Sequence, residues 1–138
     1  MTVMEYTAEA TADGNGRNGR VASNDGLVDV ALGIPVELGG AGGGSNPEQL
    51  FAAGYAGCFL SALSSVARVH KVRLTDPTVT ARVTIADHGE GFGLSVELVV
   101  NMPGVDEDVA RTVVEGAHQK CPYSKAVRNN VDVALTLK

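Results

Sequence analysis

Cys58 and Cys121 are the two cysteines of the chain, and they stand out because so little else in it is reactive. Two isolated thiols make no disulfide framework, and neither belongs to a Cys-x-x-Cys pair. In a reducing compartment such thiols are inert core residues, metal ligands or a redox pair. Attack on a peroxide or a disulfide needs a thiolate, and a thiolate needs a nearby cation, itself best held by a carboxylate. The cations on offer are Arg17 and Arg20, in a glycine-rich turn, and the carboxylate is Glu48, ahead of Cys58. A second reading stays open. His118 and Cys121 form a His-x-x-Cys pair, and with Cys58 they would supply three zinc ligands of a metal-binding or hydrolytic module. A third is an apolar-ligand binder without redox turnover.

The element that must carry Cys58 is a long apolar helix expected from Pro47 to about Val69. Asn46 can cap it, Pro47 suits its first turn, and Gln49 holds the capping-box position. Between Leu50 and Leu63 only Tyr55, Cys58 and Ser61 carry polar or reactive side chains, so the helix is expected to be covered on nearly all sides. Its apolar part reads as too short to span a bilayer, and the N-terminal residues lack the basic and apolar regions of a secretory signal. The formal net charge is −5, from 11 Lys and Arg against 16 Asp and Glu, with no basic block, which argues against a nucleic-acid surface. The expectation is one domain over residues 1–138, cytoplasmic, with no nucleic-acid or membrane partner.

The other elements follow in order. Residues 3–11 alternate as a first strand. Residues 12–20 make a glycine-rich hairpin turn, and residues 21–23 and 27–32 are strands joined by Asn24-Asp25-Gly26. Residues 34–45, with five glycines, read as a flexible connector. After the helix, residues 79–86 and 92–101 alternate with period two as a hairpin around the Gly89 to Gly91 turn. A second helix begins near Asp106, with Val109, Val113, Val114, Ala117 and Cys121 on one face. Pro122 breaks it at Cys121, Tyr123-Ser124-Lys125 restart a short turn, and residues 131–137 form a last strand. The fold class is α+β.

Asn46-Pro47-Glu48-Gln49-Leu50-Phe51-Ala52-Ala53-Gly54-Tyr55 leading into Cys58-Phe59, with His118-Gln119-Lys120-Cys121-Pro122-Tyr123-Ser124, closely resembles the organic hydroperoxide resistance (Ohr) branch of the Ohr/OsmC family. Gly16-Arg17-Asn18-Gly19-Arg20, Asp25-Gly26, Gly91-Phe92-Gly93-Leu94 and the stretch from Asn129 to Val133 fall in the same order as in that family. The resemblance implies an OsmC-like fold, an intertwined homodimer, and a thiol peroxidase acting on organic, including fatty-acid, hydroperoxides. It implies Cys58 as the peroxidatic nucleophile, Cys121 as the resolving cysteine, Arg17 as the cation and Glu48 as its carboxylate partner. It also implies no bound cofactor and no metal, with reducing equivalents drawn from dihydrolipoamide or lipoylated proteins. Leu50, Phe51, Tyr55 and Phe59 are the expected substrate-binding side chains.

The helix spacing adds one inference. Glu48 and Cys58 are ten residues apart, about 15 Å along a straight helix and on different faces. They cannot touch within that helix. The expectation is that Arg17 links them or that a second chain completes the site across a two-fold interface.

Overall fold

The computed structural model describes residues 3–138; Met1 and Thr2, part of the N-terminal stretch read above for a signal, lie outside them. The chain forms two compact units, Met1–Leu50 and Phe51–Lys138.

In the first unit, β1 (Ala10–Asp13), β2 (Arg20–Ser23) and β3 (Asp29–Ala31) form an antiparallel sheet in sequential order. The glycine-rich turn between β1 and β2 winds into a 3₁₀ helix, Gly16–Asn18. Gly19 closes it where no other residue fits, because a Cβ there would lie 1.9 Å from the Asp13 carbonyl oxygen. Asp25 Oδ1 fastens the next turn by accepting from Ser23 Oγ (2.6 Å) and the Leu27 N–H (3.0 Å).

Two expectations change here. The first strand begins only at Ala10, residues 3–9 being exposed and outside any named strand. Nor is the stretch 34–45 a free connector. It carries a 3₁₀ turn, Val36–Leu38, and folds back onto the end of β3, with Gly33 N–H donating to Ser45 O and Ser45 N–H to Ala31 O, both at 2.9 Å. The small residues permit that return, since a Cβ on Gly44 would meet the Gly33 nitrogen at 2.5 Å.

Helix α1 (Pro47–Val69) starts as its sequence dictates: Asn46 Oδ1 accepts from the Gln49 N–H at 2.8 Å. The Gln49 side chain does not reach back to the cap N–H as a capping box would; its Oε1 accepts from Ser45 Oγ instead (2.9 Å). At 23 residues, with a window of mean hydropathy 1.6, α1 is long and apolar enough to cross a membrane by length and composition, contrary to the expectation above. A core helix passes the same test, and α1 is one, burying Tyr55, Phe59, Leu63, Val66 and Ala67 along one stripe. The helix is not covered on nearly all sides, however. Ala53, Gly57, Ser61 and Ser65, on the other side, are exposed.

The second unit pairs β4 (Thr78–Asp87), β5 (Phe92–Asn101) and β6 (Val133–Leu137) in that order, β4 antiparallel and β6 parallel to the central β5. The parallel return is reached through α2 (Glu107–Lys120) and α3 (Pro122–Val127). Val96, Leu98 and Val100 of β5 face the core, while Glu97 on the opposite face accepts from Thr136 Oγ1 at 2.8 Å. Phe92, in phase with them along the strand, is exposed at its outer end. The buried stripe of α2 is Ala110, Val113, Val114 and Ala117; Val109, placed on it from the sequence, lies at its edge and is 39% exposed. Together with α1 these residues build one continuous core, in which Gly116 of α2 packs against Val66.

Candidate active site

In the first unit, the 3₁₀ turn presents Arg17 to Glu48 in the first turn of α1. The guanidinium donates through both terminal nitrogens, Nη1 to Oε1 at 2.7 Å and Nη2 to Oε2 at 3.0 Å. This is the bidentate fork that fixes an arginine in orientation as well as position. Glu48 is largely shielded, 13% exposed against 39% for Arg17. The hydrogen-bonded Arg17 holds the Glu48 carboxyl below its ordinary value, and Glu48 in turn raises that of Arg17. Arg20 is committed elsewhere, to Asp29, at 2.7 and 2.8 Å on the exposed sheet face. The intervening Asn18 has a structural task, its Oδ1 accepting from the Ile34 N–H at 3.3 Å.

In the second unit, the two thiols meet. Cys58, half-buried on α1, and Cys121, fully buried at the break between α2 and α3, have their sulfurs 3.4 Å apart, with the Cys121 thiol donating. The break follows from Pro122: Cys121 takes an extended conformation (φ −61°, ψ 123°), closing α2 and capping α3 at once. Burial pushes the Cys58 thiol above its ordinary value, an effect opposed by the Tyr123 backbone N–H and reinforced by Cys121. A reactive thiolate there requires a cation from beyond these groups.

The aromatic side chains expected to bind substrate belong to the same core cluster as this pair. Phe51 is half-buried and packs edge-on to Tyr55 and Tyr123, at centroid distances of 6.1 and 5.9 Å. Tyr55 and Phe59 are fully buried in the core, and Leu50, in the first unit, is half-buried.

The sequence reasoning did not find Ser124. It is fully buried, and its Oγ lies 2.6 Å from Tyr55 Oη and 2.9 Å from His118 Nδ1. Its signal was present, since a serine three residues past Cys121 on a short helix falls on the buried side and must then find partners. His118 therefore spends its Nδ1 on Ser124, and among the described residues no three His, Cys, Asp or Glu side chains gather as metal ligands, so the zinc set of Cys58, Cys121 and His118 is not assembled.

A family model described as OsmC-like protein matches residues 39–136. The chain belongs to the Ohr/OsmC family. It is 52% identical over 134 residues to an organic hydroperoxide resistance protein of Xanthomonas axonopodis pv. citri, covering 96% of this chain and 94% of that one. The organic hydroperoxide resistance protein OhrB of Bacillus subtilis is 44% identical over 96% of this chain and 98% of its own. Among solved structures, an organic hydroperoxide resistance protein from Legionella pneumophila superposes with a TM-score of 0.92 at 47% identity, covering 99% of both chains. The crystal structure of OhrB gives 0.87. The α+β architecture is thus the OsmC/Ohr fold, and the chain groups with the organic hydroperoxide resistance branch of the family.

Proposed function

We propose that this chain is a cysteine-based peroxidase that reduces organic hydroperoxides, fatty-acid hydroperoxides included, to alcohols. The observation that carries the reading is the approach of two free thiols to 3.4 Å, one half-buried and one fully buried. The Cys58 thiolate attacks one peroxide oxygen, the O–O bond breaks, and the alkoxide leaves as alcohol after taking a proton. Cys58 is left as a sulfenic acid. The Cys121 sulfur then attacks Cys58 sulfur, the S–O bond breaks, and water leaves with the Cys121 proton as the disulfide forms. A dithiol of the dihydrolipoamide class, free or carried on a protein, reopens the disulfide by exchange and is itself oxidised to its cyclic disulfide.

Arg17, oriented by Glu48, is the cation assigned to activating the catalytic thiol. Leu50, Phe51, Tyr55 and Phe59 supply the apolar surroundings that favour an alkyl hydroperoxide over hydrogen peroxide. We place the reaction in the cytoplasm, where thiol reductants keep the pair reduced. The working form is a homodimer. Support comes from the exposed side of α1 and from Val3, Met4, Tyr6 and Leu27, large apolar side chains left open to solvent in a single chain. A monomer with full activity in solution contradicts the dimer.

Turnover of tert-butyl hydroperoxide with dihydrolipoamide, set against thioredoxin and its reductase, tests reaction and reductant together. Consumption with dihydrolipoamide and little with thioredoxin is expected. No consumption with either overturns the peroxidase, and turnover by thioredoxin alone overturns the lipoyl assignment.

A further inference from the structure

Ser124 and His118 have no part in the chemistry above, and Tyr55 enters it only through its ring, yet the polar chain Tyr55–Ser124–His118 is built around both thiols. Tyr55 lies three residues before Cys58 on α1, His118 three before Cys121 in the last turn of α2, and Ser124 three after Cys121 in the first turn of α3. One buried hydroxyl therefore ties the helix carrying Cys58 to both helices that meet at Cys121. The break at Cys121 leaves few backbone bonds to fix its position. Its extended backbone interrupts the α2 ladder, α3 is only six residues long, and the backbone bonds local to the junction are Cys121 N–H to Ala117 O (2.8 Å) and Lys125 N–H to Cys121 O (3.0 Å). Those bonds hold Cys121 to α2 and α3, while the Tyr123 N–H at Cys58 and the thiol contact itself reach α1. Across the helices, Ser124 Oγ, a hydroxyl able both to donate and to accept, bridges Tyr55 Oη and His118 Nδ1. His118 is in turn fixed from behind, its carbonyl accepting from Arg128 Nη2 at 2.7 Å.

We propose that the Tyr55–Ser124–His118 chain is a positioning device for the resolving thiol, holding Cys121 Sγ against Cys58 Sγ so that the sulfenic acid is captured as a disulfide before a second peroxide reaches it. Ser124 and His118 act through Cys121 and do not touch the peroxide. The inference rests on the peroxidase reading, and it concerns the second chemical step alone. Displacing one reacting sulfur by about an ångström costs that step on the order of tenfold to a hundredfold.

The test is a single-turnover experiment on the full chain with one equivalent of tert-butyl hydroperoxide, following peroxide loss, trapping of the sulfenic acid by a dimedone-type nucleophile, and disulfide formation. Ser124→Ala is expected to consume peroxide at the wild-type rate but to form the disulfide at least tenfold more slowly, with trapped sulfenic acid accumulating. His118→Leu is expected to do the same and serves if Ser124→Ala fails to fold. His118→Asn, which keeps a polar atom near the Nδ1 position, is expected to restore most of the rate, a rescue that general loosening of the core does not produce. Tyr55→Phe combined with Ser124→Ala is expected to slow disulfide formation no further than the worse single change, because both remove the same link. Disulfide formation at the wild-type rate in Ser124→Ala or His118→Leu overturns the positioning role, as does equal slowing of both steps or no rescue by asparagine. Undiminished peroxide consumption by Cys58→Ser overturns the peroxidase reading instead, so the two failures are distinct.

Discussion

Cys121 Sγ lies 3.4 Å from Cys58 Sγ, although one thiol sits in mid-helix on α1 and the other at the break between α2 and α3. That distance is already at contact for two sulfurs, so disulfide formation needs only a small closing movement. The same burial that brings the thiols together works against ionisation of Cys58, which sets up the first prediction.

The role proposed for Arg17 is tested with Cys121 replaced by serine to leave one thiol, because burial by itself raises the Cys58 pKa. In the pH dependence of Cys58 alkylation, Arg17→Met is expected to move the pKa further up, so that reactivity at pH 7 falls at least tenfold and returns as pH rises. An unchanged profile in Arg17→Met removes Arg17 from the activation of the thiol.

Glu48 predicts an acid limb in stability. Its folded pKa is depressed by Arg17, so the unfolded chain binds the proton more readily. The pair's contribution is therefore fully present above the ordinary value of 4.5 and is lost as pH falls through the lower folded value. Because Arg17 is 39% exposed, solvent screening limits the size to about 0.5–1 kcal/mol. Urea unfolding of wild type and Glu48→Gln between pH 3 and 7 should show the two curves converging as pH drops; parallel curves would contradict the linkage.

Gly116 faces Val66 across the α1 and α2 contact, and a Cβ added there would sit 2.8 Å from Val66 Cγ1. Helix propensity favours Gly116→Ala by about 1 kcal/mol, while overpacking a buried β-branched neighbour costs about 1–3 kcal/mol. Packing wins, and thermal unfolding of the variant should occur a few degrees lower. A raised melting temperature would mean that the two helices separate easily.

Much of the scaffold was legible because local signals there are strong. Asn46-Pro47 announces the start of α1, period-two alternation marks β4 and β5, and Pro122 marks the break at Cys121. What escaped was set by tertiary partners. Ala110 takes the buried place given to Val109 because the stripe of α2 is turned by its contact with α1 and the sheet, and apolarity alone does not choose between adjacent residues. Residues 34–45 looked unstructured from composition, but the bonds that order them reach back to Ala31 and Gly33, beyond any local signal. For the site, the choice of Arg17 over Arg20 as the partner of Glu48 came from family resemblance, and the structure shows the physical difference: Arg20 is already paired with Asp29 across the β2–β3 ladder. Ser124 was passed over because its burial follows from its register with Cys121 on α3 and not from its residue type.

The decisive measurement is the stoichiometry of organic hydroperoxide reduction by Cys58→Ser and Cys121→Ser with dihydrolipoamide as reductant. Cys58→Ser is expected to consume none, whereas Cys121→Ser consumes one equivalent per chain and then stalls with its sulfenic acid trappable. Sustained turnover by Cys58→Ser would contradict the assignment of Cys58 as the peroxidatic nucleophile, and with it the peroxidase built on this pair of thiols.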